Sequence, residues 1–528
     1  MSDIQISSIV HPLSKRIIKN TIYNSVGNWI VLLLNFIIIP FVISKLGLEI
    51  YGSAWVIGII IISSAGLVDF GIGSSSVKYI AEYNAKKQFG EINSLIITSI
   101  AFYAVFGLVL LIVIILFGNN ILMLIGVPHH LISEAYYVFV IATSILVILN
   151  TFSPLTSVLS GLQRMDITNL IIVATGILNI TQTVIVLSLD FGVRGLIIGS
   201  LFINLISISL LSYWSFRILP QLKLSISNIE WEKFKQTWRF GINLQISRIS
   251  QVVVFQVDKI FALSFFGPAN AAFYEIGVKV TSLARSIPLM LTSALLPVAS
   301  EIDAKKEDIK INLLFERGSK YLIIVGMFFL GFIFLESKLI VQTWMGKSLD
   351  ETGIMTASII IKILVFGYFM NTLTAIASTI GAGITRTDLE GNVGILALIV
   401  SPILTFTFIY TIGYNGIALS TMLMLTIGAF YYMKQFFSVI KKDFLAYIKM
   451  LLKPLISLLI ASSIIVIVQL FIVQPEVQTR FEGLLYIILY FLIFLLSYII
   501  TIIFLGTLDE YDKSIIRAII NKVKSKRI

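Results

Sequence analysis

Between Asn20 and Phe504 the sequence is a succession of apolar runs separated by short polar stretches. Each run approaches the ~20 residues a helix needs to cross a bilayer. Hydrocarbon offers no partner for a free backbone amide, so runs of this length fold as helices that satisfy their own N–H and C=O groups. At 57% hydrophobic residues, 13% charged residues and mean hydropathy +0.97 over 528 residues, the chain is too apolar for a soluble globule. The expected fold is an all-α polytopic membrane protein with about 14 spans. Their centres fall near Leu33, Ile60, Val105, Ala142, Ala174, Phe202, Val252, Ser286, Gly326, Leu364, Ile399, Leu423, Ile460 and Leu492.

A net charge of +11 raises the question of nucleic acid. Its placement answers it. With the amino end in the cytoplasm, the great majority of the 39 Lys and Arg fall in segments on that side, as the positive-inside rule requires. The basicity is topological, both termini are expected in the cytoplasm, and no nucleic-acid partner is expected. Met1 to Lys19 is too polar and its following run too long for a cleavable signal. The absence of Cys excludes disulfides and thiol chemistry. His129 and His130 have only Glu134 nearby and read as a solvated loop, so no metal is expected.

The chain repeats itself. AEYNAKKQFGEINSL, Ala81 to Leu95, matches SEIDAKKEDIKINLL, Ser300 to Leu314. Asn150-Thr151 corresponds to Asn371-Thr372, Arg164-x-Asp166 to Arg386-x-Asp388, and Gly192-x-x-Gly195 to Gly413-x-x-Gly416, all at a spacing of about 220 residues. Each copy holds six expected spans, an even number, so the copies insert as parallel repeats. The division expected is a first lobe at 1–216, a cytoplasmic connector with an amphipathic surface helix at 217–239, and a second lobe at 240–437. Two further helices at 446–507 and a basic cytoplasmic tail at 508–528 complete it.

The costliest stretch runs from Phe240 to Ala299, where Arg248, Asp258, Lys259, Glu275, Lys279 and Arg285 enter hydrocarbon depth. A charge there costs several kcal/mol unless it is paired or faces water. On a wheel of ~100° per residue, Gln245, Gln251, Gln256, Asp258 and Lys259 fall within about 80° of Arg248. Ile246, Ile249, Val253, Val254 and Val257 fill the other side. One polar face on a spanning helix needs a wet or protein-lined cavity. Glu275 and Lys279 are spaced to pair across one turn. Asp258 and Glu275 are read either as partners of Lys259 and Lys279 or as ion-coupling groups. Basic residues outnumber acidic ones four to two, which leaves positive charge for water or an anionic ligand. In the register of the repeat Asn28 falls on Arg248, so the polar stripe belongs to both lobes and the charge mainly to the second.

Two six-helix lobes, together with DFGIGSSSVKYIAEY, GLQRMDITN and VFQVDKIFALSFFG followed by AAFYEIG, resemble the polysaccharide flippase family of the multidrug/oligosaccharidyl-lipid/polysaccharide exporter superfamily. The resemblance implies alternating access by two bundles. It also implies movement of a polyprenyl-diphosphate-linked oligosaccharide from the inner to the outer leaflet of a prokaryotic cytoplasmic membrane. A diphosphate glycolipid suits a cationic wet cavity. Arg248, Lys279 and Arg285 are the first candidates to bind it, with Lys259 and Lys362 next, and Gln245, Gln251, Gln256 and Asn28 are expected to line the cavity.

Two alternatives compete. A multidrug cation antiporter of the same superfamily should want an acidic cavity. A membrane glycosyltransferase or polymerase should place carboxylates, Arg or His in large outer loops, whereas the loop from Gly118 to Ser133 has no Lys, Arg, Asp or Glu. No phosphate-binding loop, HExxH or G-x-S-x-G sequence appears, so no catalytic residue and no cofactor is expected. The coupling ion, if any, is H+ or Na+ at Asp258 or Glu275. The expected partners are the lipid-linked glycan and membrane lipids, with the chain a monomer open to contact with polysaccharide-assembly proteins.

Overall fold

In the computed structural model, residues 30–292, 295–306, 308–471, 479–510 and 512 are described. The described chain is helical, without strands. Helix α1 runs Ile30–Leu46 through Pro40, and α2 runs Leu48–Ser63. They meet at an angle of 118°, with the turn at Gly47, whose φ of +79° a side chain would resist. Then follow α3 (Ala65–Val68), α4 (Ile72–Ala85), α5 (Phe89–Leu124), α6 (Ile132–Gly161), α7 (Met165–Ser188), α8 (Gly192–Ile218) and α9 (Trp231–Phe255). Next come α10 (Val257–Phe266), α11 (Pro268–Leu289), α12 (Leu295–Ala304), α13 (Asp308–Leu335), α14 (Ser337–Met345), α15 (Glu351–Leu373) and α16 (Ala375–Gly383). The last are α17 (Asp388–Ile412), α18 (Tyr414–Ile440), α19 (Phe444–Phe471) and α20 (Arg480–Phe504).

Every one of the expected span centres lies in a helix. By length and composition, 11 helices among the described residues can cross a membrane, or up to 12 if the bent pair α1 and α2 is one span. The expected figure of about 14 is therefore not reached on that measure, for two reasons. The first two runs are joined as the bent pair, and α11 carries Glu275, Lys279 and Arg285, too much charge for an apolar span. Outward faces are apolar: Leu108, Leu116, Phe202, Ile399, Leu459 and Ile500 are all exposed. Water would not tolerate such a surface, and lipid does.

Left-handed backbone recurs at the spacing of the sequence repeat. Gly47 and Gly267 have φ of 79° and 87°, Lys87 and Lys306 55° and 56°, and Gln163 and Thr385 57° and 61°. Gly126 pairs with Gly346 and Gly192 with Gly413 in the same way. Lys86–Glu82 and Lys305–Glu301 form the same ion pair across one turn, both at 2.6 Å. Duplicated sequence therefore folds into duplicated helix ends.

The chain divides into two compact units: Met1–Lys279 with Thr387–Met424, and Val280–Arg386 with Leu425–Ile528. In the first, the segment expected to be a connector is docked. Lys233 pairs with Glu91 and lies 3.2 Å from the Tyr83 hydroxyl, while the Glu230 and Lys223 amides donate to Thr98 Oγ1 and Asn93 Oδ1, both at 3.0 Å. Phe234 stacks on Trp231 and packs tilted against Phe102, and α9 runs unbroken from Trp231 to Phe255.

In the second unit α20 packs on α13 through Phe328, Phe491, Phe494 and Tyr498. Beyond α20, Asp509 and Asp512 cap each other's amides at 3.0 and 2.9 Å. The same two carboxylates hold Arg317 and Lys320 of α13, and the Tyr321 hydroxyl donates to Asp512 at 2.5 Å. The start of the basic tail is thereby fixed to α13. Breaks within long apolar segments fall at polar residues: Gln256 between α9 and α10, Glu336 between α13 and α14, and Thr374 between α15 and α16. Freed backbone carbonyls there find side chains, as Leu373 does with the Tyr447 hydroxyl at 3.0 Å.

Candidate functional site

The first polar centre forms where α3 ends. Phe70 and Gly71 are left-handed, with φ of 46° and 74°, and the break turns Asp69 inward. Its carboxylate accepts from the Gly73 amide at 3.0 Å, and the Tyr103 hydroxyl lies 2.7 Å from its carbonyl. The remaining oxygen pairs with Arg248 of α9. One turn earlier on α9, Gln245 donates to the Leu67 carbonyl at 2.6 Å. Arg248 is nevertheless 31% exposed, so its pairing leaves it within reach of solvent.

The second centre joins α10 to α11 by two adjacent links. Tyr274 donates to Asp258 at 2.7 Å, and Lys259 pairs with Glu275 at 2.6 Å. Glu275 also holds Lys279 at 3.2 Å, and Lys259 also donates to Gln256 at 2.8 Å. The two anions differ in kind. Glu275 lies between two ammonium groups, whereas Asp258 is held by two hydroxyls, those of Tyr274 and Thr421. Lys259 is 3% exposed and Lys279 37%, so only the second meets solvent. Beside them Tyr51 opens a π-turn, Tyr51–Trp55, an irregularity that occurs frequently at functional sites.

In the second unit Arg285, further along α11, donates to Asn371 and lies over the Tyr368 ring at 5.6 Å. Lys362 is exposed on α15, and its charge reaches Glu336, a buried carboxylate that accepts from Gln469 at 2.7 Å.

Of the residues picked from sequence, the structure brings Lys259, Glu275, Lys279 and Gln256 together, and places Asp258 beside them on other partners. Gln245 and Arg248 reach α3 and its end, Gln251 is exposed, and Asn28 lies outside the described residues. Sequence reasoning missed Asp69, which bonds the Gly73 amide locally and Arg248 at long range. Counting Asp69, the four cations of the stretch are set against three carboxylates, so the positive surplus is smaller than the spacing suggested. It also missed Tyr51, Asn371 and Glu336. Of these only Glu336, an acid next to an apolar run, leaves a signal in sequence. At the start of α6, Glu134 is taken by Arg194 at 2.9 Å, and His130 just before it lies 3.3 Å from Glu49.

Helices of this kind, broken at polar residues and carrying buried ion pairs, define a polytopic membrane protein with polar centres within its spans. Residues 17–303 match the family described as polysaccharide biosynthesis protein, and the chain belongs to that family. A protein of Shigella flexneri assigned to O-antigen transport is 24% identical over 409 residues, covering 76% of this chain and 94% of its own length. Among solved structures, the lipid II flippase MurJ in an inward closed conformation superposes with a TM-score of 0.74 at 17% identity. It covers 92% of this chain and 98% of its own. A multidrug resistance MATE transporter of the MOP superfamily, inward-facing, gives 0.68 at 15% identity over 79% and 99%. These likenesses establish the fold.

Proposed function

We propose that this protein is a flippase that carries a polyprenyl-diphosphate-linked oligosaccharide from the inner to the outer leaflet of a prokaryotic cytoplasmic membrane, for surface polysaccharide assembly. It is a transporter and not an enzyme, with both termini in the cytoplasm, and it works by alternating access through a cationic cavity. The observation that carries this reading is that Arg248 and Lys279, on helices of membrane-spanning length, are each about one-third exposed. A solvent-reachable cation at that depth calls for a mobile anion. The family and the relatives support the class of cargo. The cargo and the lipid are the partners, and the protein acts as a monomer open to contact with polysaccharide-assembly proteins. No nucleic acid and no cofactor take part.

The test is flipping of a fluorescent polyprenyl-diphosphate glycan in proteoliposomes, normalised to folded protein. Removing a charge-assisted contact costs about 1.5–3 kcal/mol, so Arg248→Ala and Arg285→Ala are each expected to lose about tenfold to hundredfold. Arg248→Lys should restore only part, because an ammonium lacks the planar fork. Wild-type flipping in both Ala variants would overturn the reading.

Of the two carboxylates proposed for coupling, Asp258 fits the role. Glu275 already has two ammonium neighbours, and a further cation there would meet their repulsion. Asp258 offers one oxygen, Oδ2, to two hydroxyls, which can turn to accommodate H+ or Na+. Asp258→Asn is expected to flip cargo at a rate indifferent to an imposed proton or sodium gradient. A retained response to either gradient would remove Asp258 from that role.

A further inference from the structure

The Tyr51 hydroxyl is wholly buried and has no hydrogen-bond partner among the described residues. Such orphans are rare in folded proteins and ask for an explanation. Its surroundings supply one. The next residue, Gly52, lies directly against Pro268 and Ala272 of α11, one turn before Glu275, and Glu275 is the anion whose field acts on the phenol. The two lysines on that carboxylate are not equivalent. Lys259, at 2.6 Å and 3% exposed, cannot leave without stranding a buried charge, since its other contact is the neutral Gln256 amide. Lys279, at 3.2 Å and 37% exposed, can turn to solvent.

We propose that Lys279 is an exchangeable partner of Glu275, released when it binds an anionic phosphate group of the cargo, and that the Tyr51 hydroxyl then donates to the oxygen Lys279 gives up. Glu275 stays neutralised by Lys259 throughout, and its vacated acceptor is filled by a donor already beside it. Tyr51 is thus a positioning residue: it touches no cargo and sets how readily Lys279 is freed. The exchange rests on the reading of the cargo as a lipid-linked anion held by Lys279.

The probe is geranylgeranyl diphosphate, titrated into the full chain in detergent. Tyr51→Phe is expected to bind it about threefold to tenfold more weakly, the worth of one hydrogen bond. Its thermal midpoint should not fall, since the lost hydroxyl made no bond in the unliganded state. In a Lys279→Ala background the same change should have no further effect. With 3-fluorotyrosine at position 51, the fluorine resonance should move on addition of the probe in the wild-type chain and stay still in Lys279→Ala. Wild-type affinity in Tyr51→Phe, or an equal loss in both backgrounds, overturns the exchange and leaves the anionic cargo standing. Wild-type affinity in Lys279→Ala overturns the cargo reading at Lys279, and the exchange with it.

Discussion

Glu275→Gln is expected to leave little folded protein, and Lys259→Met in the same chain to bring most of it back. Glu275 is fully buried and Lys259 nearly so. Neutralising one member of a buried pair strands the other charge, at a cost of about 3–5 kcal/mol. That is a large part of the 5–15 kcal/mol by which folded domains are typically stable. Replacing both members by neutral or apolar groups of similar volume is often neutral or stabilising. Lys279 is then unpaired too, but at 37% exposure it turns to solvent at small cost. The measurement is the monodisperse fraction in detergent together with the thermal midpoint. A single variant as stable as wild type, or a double variant no better than the single, would show that Lys259 and Glu275 do not depend on each other.

The same pair shows what sequence does and does not reveal. A charge in an apolar run is legible because hydrocarbon makes it expensive, so Arg248, Lys259, Glu275 and Lys279 stood out by type and place alone. Lys279 to Glu275 was legible as well, since a spacing of four fixes a helical neighbour. Asp69 to Arg248 was not: a contact between distant segments leaves no period to read. That single omission inflated the apparent cation surplus. Helices were legible from run length, but their breaks were not. Pro154, Pro402 and Pro454 lie inside unbroken helices, while the breaks fall at Gln256, Glu336 and Thr374, where tertiary partners and not local propensity decide. Tyr51 was invisible for a simpler reason. A Tyr beside an apolar run is ordinary, and only its packing makes it unusual.

Gly52→Ala is expected to push α2 and α11 apart. A Cβ built at Gly52 would stand 1.8 Å from the Pro268 carbonyl oxygen and 3.1 Å from the Ala272 amide nitrogen. Carbon and carbonyl oxygen in contact need about 3.3 Å or more, so the two backbones must part by roughly 1.5 Å. No side-chain rotation can relieve a clash with main chain. The cost expected is about 3 kcal/mol, at the upper end of overpacking effects. It falls on the elements that hold Tyr51 and Glu275. Two controls separate this from a general intolerance of added methyl groups. At Gly58 the new Cβ meets only a Val138 methyl, 2.9 Å away, which has some freedom to yield, so Gly58→Ala should cost less. At Gly90 nothing lies within 4 Å, and Ala should be neutral or slightly stabilising in α5 through its better helix propensity. Thermal midpoints of the three variants should fall in the order Gly90→Ala, Gly58→Ala, Gly52→Ala, from highest to lowest. If Gly52→Ala melts like wild type, α2 and α11 do not meet at this point, and the contact that brings Tyr51 to Glu275 is lost with it.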